Sequence, residues 1–314
     1  MAVPTGTASL LDIQNEFGGS NPISLSEYRG VGPGPASGAI SINDFRGASN
    51  VVYLTGNHQQ ITASSHVSAG GTLDISASSW IWSDNVSVAA LTIDIACTII
   101  NRGRIIGKGG DGGLTSTSAG QGGGSAISVS ASGVSVTNVS GAYIAGGGGG
   151  GGSARRYSSQ WSGGGGGAGG GRGGGTAINS GRIAAGGAIN TKGQNGIGLG
   201  GWSYNGEYTW SGGEAGGHAA YDNESSSGSA FGYSGGGGGR ILPGVATGAS
   251  TGAGGGGGQA GGAGRISGVY NQGGGGGGWG AAGGNATYSG GSAGAAISGT
   301  SVSLSNSGTI YGAT

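Results

Sequence analysis

The sequence has one cysteine, five prolines and no long apolar run among its 314 residues. A single cysteine, Cys97, excludes an internal disulfide framework and a zinc site built from several cysteines. No stretch approaches the ~20 apolar residues of a membrane-spanning helix. The opening residues also lack the basic start and apolar core of a secretory signal peptide. Twelve basic residues balance twelve acidic ones, which argues against a general nucleic-acid binder.

Recognisable catalytic or metal-binding motifs are also lacking. Residues 103–108 are one residue short of a phosphate-binding loop, and Gly109 follows where Ser or Thr is needed. The acidic cluster of the distal half lies in loop-like sequence, where carboxylates are normally solvated rather than paired for glycoside hydrolysis: Glu207, Glu214, Asp222 and Glu224. We therefore expect no enzymatic activity, no cofactor and no metal.

What the sequence does contain is glycine, at 88 positions. Collagen is excluded, because it needs glycine at every third position together with abundant proline. Disordered chains usually combine low hydrophobicity with high net charge, whereas this chain has no net charge and 20 aromatic residues. The composition therefore favours an ordered structure over a flexible chain.

Residues 1–50 contain a repeated motif. The segment 20–30 aligns without gaps with 37–47, and a weaker copy begins at Ser9. Each copy has Ser followed three residues later by Asp or Glu, a spacing typical of a helix whose first turn is capped by both side chains: Ser9/Asp12, Ser24/Glu27 and Ser41/Asp44. Such short helical turns are unstable alone, so they must pack on one another or on a partner. The pattern predicts a docking module.

Residues 51–145 alternate apolar and polar residues with a period of two, which is typical of half-buried strands. Trp80 and Trp82 are predicted to share one face of a strand. Short strands separated by Gly, Ser and Asn indicate either a β-sandwich or a β-solenoid-like stack.

A second repeat begins at Asn101, Asn138, Asn179 and Asn306, where asparagine precedes a glycine and a short apolar strand. Asparagine tolerates left-handed backbone conformations, which suits a corner. Because the last copy lies near residue 314, the chain is predicted to return to the β-rich region at 297–314 as a final strand.

Residues 146–296 alternate glycine tracts with longer segments that contain twelve of the aromatic residues. The tracts are Gly146–Gly152, Gly163–Gly175, Gly235–Gly239, Gly254–Gly264 and Gly273–Gly278. Ordering glycine costs more backbone entropy than ordering any other residue, so an ordered tract must recover that cost through hydrogen bonds and close contact. A polyproline-II helix has three residues per turn and no internal hydrogen bonds, so its backbone groups point outward. Tracts in this conformation can pair side by side, with the Ala, Arg and Gln inside them facing outward.

This arrangement resembles the tail-fibre tip adhesins of T-even-like bacteriophages, the gene product 38 type. The likeness rests on the alternating glycine tracts and aromatic loops, the Asn101–Gly113 turn, and an opening (residues 9–19 and 23–30) similar to the start of many phage virion proteins. It implies a mainly β or irregular fold with four parts. These are an attachment module (1–50), a β-rich connector (51–145), a polyglycine-II receptor-binding domain with aromatic loops (146–296) and a returning strand (297–314). It also implies a virion location at the tail or fibre tip, after synthesis in the host cytoplasm.

The resemblance implies two partners. A bacterial outer-surface receptor, protein or glycan, would contact the loops, and phage tail or fibre proteins would bind residues 1–50. Three similar turns in one chain suit a monomer on a trimeric fibre, and a homotrimer remains open. The candidate attachment residues are Ile13, Tyr28, Arg29, Phe45 and Arg46.

The candidate receptor-binding residues are aromatic or cationic and lie between the glycine tracts. Aromatic rings offer contact area at low entropic cost, and arginine suits anionic surface groups. The set is Arg155, Arg156, Tyr157, Trp161, Trp202, Tyr204, Tyr208, Trp210, Phe231, Tyr233, Trp279 and Tyr288.

Two alternatives remain from the sequence. The first is a structural or decoration protein of the virion without receptor binding. The second is an ice-binding protein, since polyglycine-II bundles also occur among antifreeze proteins. Ice binding favours a flat face of small groups, and the irregular Trp and Tyr loops oppose it.

Overall fold

The computed structural model describes residues 2–31, 34–115, 117–157, 160–175, 184–199, 207–219, 221–222, 231–233, 235–246, 251–267 and 270–314. Most of the regular structure is β, in parallel and antiparallel sheets, with a few short helices. None of the helices in these ranges has the length and apolar character needed to cross a membrane.

The first 50 residues form a module of three short helices: α1 (Leu10–Phe17) and two 3-10 helices, Leu25–Tyr28 and Ile42–Phe45. In the first copy Asp12 accepts from the backbone N–H of Ser9 at 2.7 Å, and Asp44 accepts from that of Ser41 at 2.8 Å, as predicted. The second copy differs, because Glu27 accepts instead from the N–H of Ser20. The prediction that the side chain of Glu27 bonds to Ser24, the capping residue of its own copy, is therefore wrong.

The three repeats pack on one another. Ile13, Tyr28 and Phe45 are at most 1% exposed, and the Tyr28 and Phe45 rings meet edge to face at 5.9 Å. The assignment of Ile13, Tyr28 and Phe45 to a partner contact is therefore corrected: these side chains form the core of the module itself. Arg29 and Arg46, the other two candidates, are exposed.

The middle of the chain is a three-sided solenoid of parallel strands, which decides between the two architectures left open by the sequence. Each of five rungs contributes a strand to the first two sheets, and four contribute to the third. The first sheet contains β1 (Val51–Leu54), β4 (Thr72–Ile75), β7 (Thr98–Asn101), β10 (Ser135–Asn138) and β21 (Ser303–Asn306). The second contains β2 (Asn57–Gln59), β5 (Trp80–Trp82), β8 (Arg104–Ile106), β11 (Tyr143–Ala145) and β22 (Thr309–Tyr311). The third contains β3 (Ile61–Thr62), β6 (Leu91–Ile93), β9 (Ile127–Val129) and β20 (Ile297–Gly299). A 3-10 helix, Ala63–Ser65, follows β3.

The solenoid forms because alternate residues of each strand point inward. In register across the first sheet, Leu73, Ile99 and Val136 are fully buried and stack in one column of the core. Trp80 and Trp82 flank the inward Ile81 and so share the outer face of their strand, as predicted.

A ladder of asparagines runs through one corner of the solenoid. Asn101 donates from Nδ2 to Oδ1 of Asn138 at 2.8 Å, and Asn138 donates in the same way to Asn306 at 2.9 Å. The turns predicted at Asn101, Asn138 and Asn306 exist, but not for the predicted reason, and the turn predicted at Asn179 lies outside the described residues. Among the described residues other than glycine, only Gln60 and Asn190 have positive φ, so these asparagines serve through their side chains.

The glycine-rich residues enter and leave the solenoid at a single corner. The chain passes from the second sheet to the third through one residue in the first rung, Gln60, and through residues 83–90 in the second. The third rung inserts residues 107–126 and the fourth inserts 146–296. Strands β20 to β22 then complete the last rungs, pairing with β9, β10 and β11.

The described part of the glycine-rich insertion contains eight further strands. They are β12 (Ala154–Tyr157), β13 (Gln160–Ser162), β14 (Gly196–Leu199), β15 (Glu207–Trp210), β16 (Tyr221–Asp222), β17 (Phe231–Tyr233), β18 (Arg265–Ser267) and β19 (Tyr270–Gln272). They form two three-stranded sheets, β12-β13-β17 and β16-β19-β18, and the hairpin β14-β15.

Candidate functional site

The tract 146–152 shows how the glycine segments hold together. All seven of its N–H groups donate to other segments of the chain. Gly147, Gly150 and then Ser153 donate to the segment 118–124, at 2.9, 2.8 and 3.3 Å. Every third residue therefore faces the same neighbour.

The remaining backbone groups of the tract face five more segments. Two of these segments accept its N–H groups: residues 165–168 from Gly148 and Gly151, and residues 281–284 from Gly149 and Gly152. Three others donate to its carbonyl oxygens: residues 110–113, 274–277 and 291–294. The tract thus lies among six hydrogen-bonded neighbours. Its hydrogen bonds supply what ordered glycine needs to offset its entropic cost.

This spacing leaves no room for side chains. A Cβ atom on Gly147, Gly150 or Gly151 would come within 3.0 Å of a neighbouring backbone carbonyl oxygen, closer than real Cβ contacts. The neighbouring segment 107–124 was predicted to belong to the β-rich connector. In the structure it is instead hydrogen-bonded to the glycine tract 146–152. We call residues 107–124 and 146–296 together the glycine-rich unit.

Two of the predicted tracts fold back on themselves. Gly163–Gly175 turns at 169–170, and Gly254–Gly264 turns at Gly258, where φ is positive. The outward orientation predicted for the interrupting residues holds for Arg172 and Gln259, which are exposed. It is wrong for Ala168, which is fully buried at a turn.

The glycine-rich unit has two different ends. Its tracts run alternately away from the solenoid and back, and the turns that return to the solenoid are 169–170, 188–191, 214–215, 240–244, 257–258 and 279–280. Apolar residues at or beside these solenoid-facing turns pack against the outer face of the second sheet. The two sides of that contact are Ala168, Ile189, Ala215, Leu242 and Trp279, against Trp80, Trp82, Ile106, Ala145 and Tyr311.

Trp279 was predicted to bind a receptor, and the structure corrects this. Its side chain is fully buried in the contact with the solenoid, and its Nε1 donates to the carbonyl oxygen of Ile241 at 2.8 Å. Trp279 lies in a solenoid-facing turn because the tract before it, Gly273–Gly278, runs back toward the solenoid. It therefore anchors the glycine-rich unit.

The opposite end, which we call the outer end, carries strands that contain most of the other candidates. Arg156 and Tyr157 lie in β12, Trp161 in β13, and Phe231 and Tyr233 in β17, so a single sheet holds all five. Tyr208 and Trp210 lie in β15, whose partner β14 contacts β17. Trp202 and Tyr204 lie outside the described residues.

Two candidates at the outer end have described side chains. Arg155 is half-buried, and its backbone N–H donates to Oγ1 of Thr287 at 2.9 Å. Tyr288 is also half-buried, and its N–H donates to the carbonyl oxygen of Ser153 at 3.1 Å. These bonds bring segments more than 130 residues apart in sequence into one surface.

A charged cluster that the sequence did not reveal lies between the two units. Arg240 is only 5% exposed and forms an ion pair with Asp84, and Lys108 lies 3.9 Å from the same carboxylate. Beside them Arg172 pairs with Asp111 at 2.6 Å, on the edge of a cavity of about 300 Å³. Nothing in a lone arginine after five glycines indicates this role.

The pKa values follow from this geometry. Burial alone would raise the pKa of Asp84, but the hydrogen bond and charge of Arg240, with the charge of Lys108, bring it below its usual 3.8. Burial and the charge of Arg240 lower the pKa of Lys108, although Asp84 and Asp111 oppose this. The hydrogen bond and charge of Asp111 raise the pKa of Arg172.

Comparison with known proteins identifies the family. Among curated proteins, no sequence matches the chain. One solved structure, the gp37-gp38 adhesin tip complex of the bacteriophage S16 long tail fiber, is similar over 98% of this chain and 94% of that chain, with a TM-score of 0.51 and 19% sequence identity. That likeness shows a shared fold. The family model of the phage tail fibre adhesin Gp38 matches residues 40–232, more than half of the sequence. The chain therefore belongs to the phage tail fibre adhesin Gp38 family and is a component of the virion at the tail fibre.

Proposed function

We propose that this adhesin is the receptor-binding protein of a tail fibre tip, which attaches the virion to the host bacterial surface. The observation that carries the proposal is the separation of the two ends of the glycine-rich unit. One end is anchored to the solenoid by buried apolar residues, and the other bears strands rich in aromatic residues. Such an arrangement suits a non-enzymatic binding protein.

The scaffold in this proposal is a bundle of polyglycine-II helices. Support comes from the three-residue repeat of hydrogen bonds around 146–152 and from the six neighbours of that tract, since a polyproline-II helix has three residues per turn and outward-pointing backbone groups. Deuterium exchange tests this directly. The amides of Gly147–Gly152 are expected to exchange far more slowly than those of free peptide, and exchange at the rate of free peptide would refute the bundle.

The proposed contact surface consists of the candidates at the outer end together with the undescribed Trp202 and Tyr204. Aromatic side chains with few rotatable bonds lose little entropy on binding, which suits a recognition surface on a rigid support. The receptor is a protein or a glycan of the bacterial outer surface.

The proposed attachment site for the fibre lies on residues 1–50. The structural neighbour described above is a complex of two proteins, gp37 and gp38, and we propose a similar fibre partner here, bound to a monomer or to a homotrimer. Arg29 and Arg46 are the exposed candidates. Deleting residues 20–30 is a poor test because it removes Tyr28 from the module core. Arg29→Glu and Arg46→Glu are expected to weaken fibre binding while leaving the module folded.

The deciding experiment uses the purified full-length chain. We expect it to bind intact cells of the permissive host and to block phage adsorption, and we expect Tyr288→Ala to weaken both. A folded protein that binds no permissive host would contradict the proposal and favour a structural virion component without receptor binding.

A further inference from the structure

The charged cluster between the glycine-rich unit and the solenoid makes hydrogen bonds in defined directions, which apolar packing does not. Arg240 reaches from one solenoid-facing turn to the carbonyl oxygen of Ser83 at 3.3 Å and to the carboxylate of Asp84, both in the second rung. Its Nε also donates to the carbonyl oxygen of Gly169, in a second solenoid-facing turn, at 3.1 Å.

The backbone of Arg240 is hydrogen-bonded to a third solenoid-facing turn, 188–191. Its N–H donates to the carbonyl oxygen of Thr191 at 3.0 Å, and its carbonyl oxygen accepts from the N–H of Asn190 at 3.0 Å. Lys108 adds a parallel bond, from Nζ to the carbonyl oxygen of Gly170 at 2.7 Å. Through its side chain and its backbone, Arg240 therefore connects three glycine-rich segments with a corner of the solenoid.

We propose that Arg240 is a positioning residue that fixes the orientation of the glycine-rich unit on the solenoid, with Asp84 as the anchor of its charge. Apolar contacts are non-directional, so the contact around Trp279 holds the two units together without setting their angle. The hydrogen bonds of a guanidinium group have fixed directions. Arg240 adds directional side-chain bonds to this junction, beside the backbone bond from the N–H of Gly146 to the carbonyl oxygen of Tyr311.

The charges that face this junction make the coupling sensitive to acid. Asp84 faces Arg240 and Lys108, and Lys108 also faces Asp111 and Arg172. Because the pKa of Asp84 is lower in the folded chain than its usual 3.8, its contribution is complete above about pH 4 and is lost as the pH falls through the lowered value. Protonation leaves Arg240 buried beside a neutral partner.

Deuterium exchange on the full chain tests the proposal. Arg240→Met is expected to lower the protection factors of segments 167–171 and 188–193 at least tenfold, while 149–152, far from the junction, stays protected. Arg240→Lys should restore part of the loss because it keeps the charge. Arg172→Met is the matched control, since Arg172 also pairs with a carboxylate but Asp111 belongs to the glycine-rich unit itself.

Asp84→Asn keeps the proposal testable if Arg240→Met fails to fold, because the Asp84 side chain is 47% exposed and can be replaced more safely. In the wild type we expect protection of the solenoid-facing turns to fall as the pH is lowered from 6 through the lowered pKa of Asp84, and Asp84→Asn should show the low protection at every pH in that series. Unchanged protection in Asp84→Asn, or an equal loss in Arg172→Met, would overturn the proposal.

The consequence for adhesion rests on the proposed function, because orientation of the outer end matters only if that end binds cells. With wild-type binding established, Arg240→Met is expected to bind host cells at least tenfold more weakly. Loss of protection together with a wild type that binds no cells would refute the receptor-binding role and leave the positioning role intact.

Discussion

Trp279 donates a hydrogen bond from Nε1 to the carbonyl oxygen of Ile241 at 2.8 Å, and its ring is fully buried. The bond joins two solenoid-facing turns that are 38 residues apart in sequence. A tryptophan between glycine tracts can therefore stabilise the contact between the glycine-rich unit and the solenoid instead of lying on an exposed surface. The position of the turn, and not the type of residue, decides which of these roles it has.

Trp279→Ala should destabilise the protein by about 3–5 kcal/mol, because it removes a buried aromatic side chain and leaves a cavity. Guanidinium titration followed by circular dichroism measures the free energy of unfolding. Tyr288→Ala, at the outer end, is the control and should cost much less, since Tyr288 is half-buried. An equal cost for the two variants would contradict the anchoring role of Trp279.

Gly150→Ala should prevent the glycine-rich unit from folding. The new methyl group would overlap the backbone carbonyl oxygen of Asp111, which cannot move without breaking its own hydrogen bonds. Gly122→Ala is the matched control, because its methyl group would meet first the movable Oγ of Ser292, at 2.9 Å. Limited proteolysis should cut the Gly150→Ala chain rapidly within 146–296 and leave the Gly122→Ala chain intact. Equal resistance of the two variants to proteolysis would show that the tract has space for a side chain at Gly150.

Asn138→Ala should cost about 1–3 kcal/mol, because it breaks the middle of the buried asparagine ladder and leaves the Nδ2 group of Asn101 without its side-chain partner. Asn306→Ala, at the exposed end of the ladder, breaks one ladder bond where Asn138→Ala breaks two, and should therefore cost less than Asn138→Ala. Thermal unfolding of both variants provides the comparison. A larger loss in Asn306→Ala would be inconsistent with a ladder stabilised by burial.

Cys97 should resist thiol reagents in the folded protein. Burial, with a smaller effect from the charge of Asp94, raises the pKa of its thiol to about 11. At pH 8 only about one thiol in a thousand is then ionised, and the thiolate is the reactive form. Labelling with Ellman's reagent is expected to follow unfolding in denaturant. Rapid labelling of the native protein would show that the solenoid opens at this position.

The strands of the solenoid could be predicted because alternation of apolar and polar residues reports directly on a half-buried strand. Alternation does not report which strand lies alongside, so the sandwich and the solenoid could not be separated. The neighbours of β10 illustrate the difficulty, since one is β7 and the other is β21, which lies beyond the whole glycine-rich insertion.

The sequence predicts that the glycine tracts are ordered and pair side by side, but it does not predict where each tract turns or which of its ends faces the solenoid. Glycine has no side chain, so a tract carries no pattern that shows where it turns or which end faces the solenoid. For this reason Ala168 and Trp279 were assigned to the wrong surroundings. The junction at Arg240 was also beyond prediction, because its partners Ser83 and Asp84 are more than 150 residues away.

In the fourth rung the long insertion begins after Ala145 and ends before Ile297. The two ends of the insertion lie side by side, because the N–H of Gly294 donates to the carbonyl oxygen of Gly147 at 2.8 Å. Other rungs close the same corner with far fewer residues. Genetic exchange of residues 146–296 between related phages would thus replace the proposed receptor-binding strands while leaving the solenoid and residues 107–124 unchanged. Under the proposed function, a single recombination tract would be enough to change the bacteria that a phage infects.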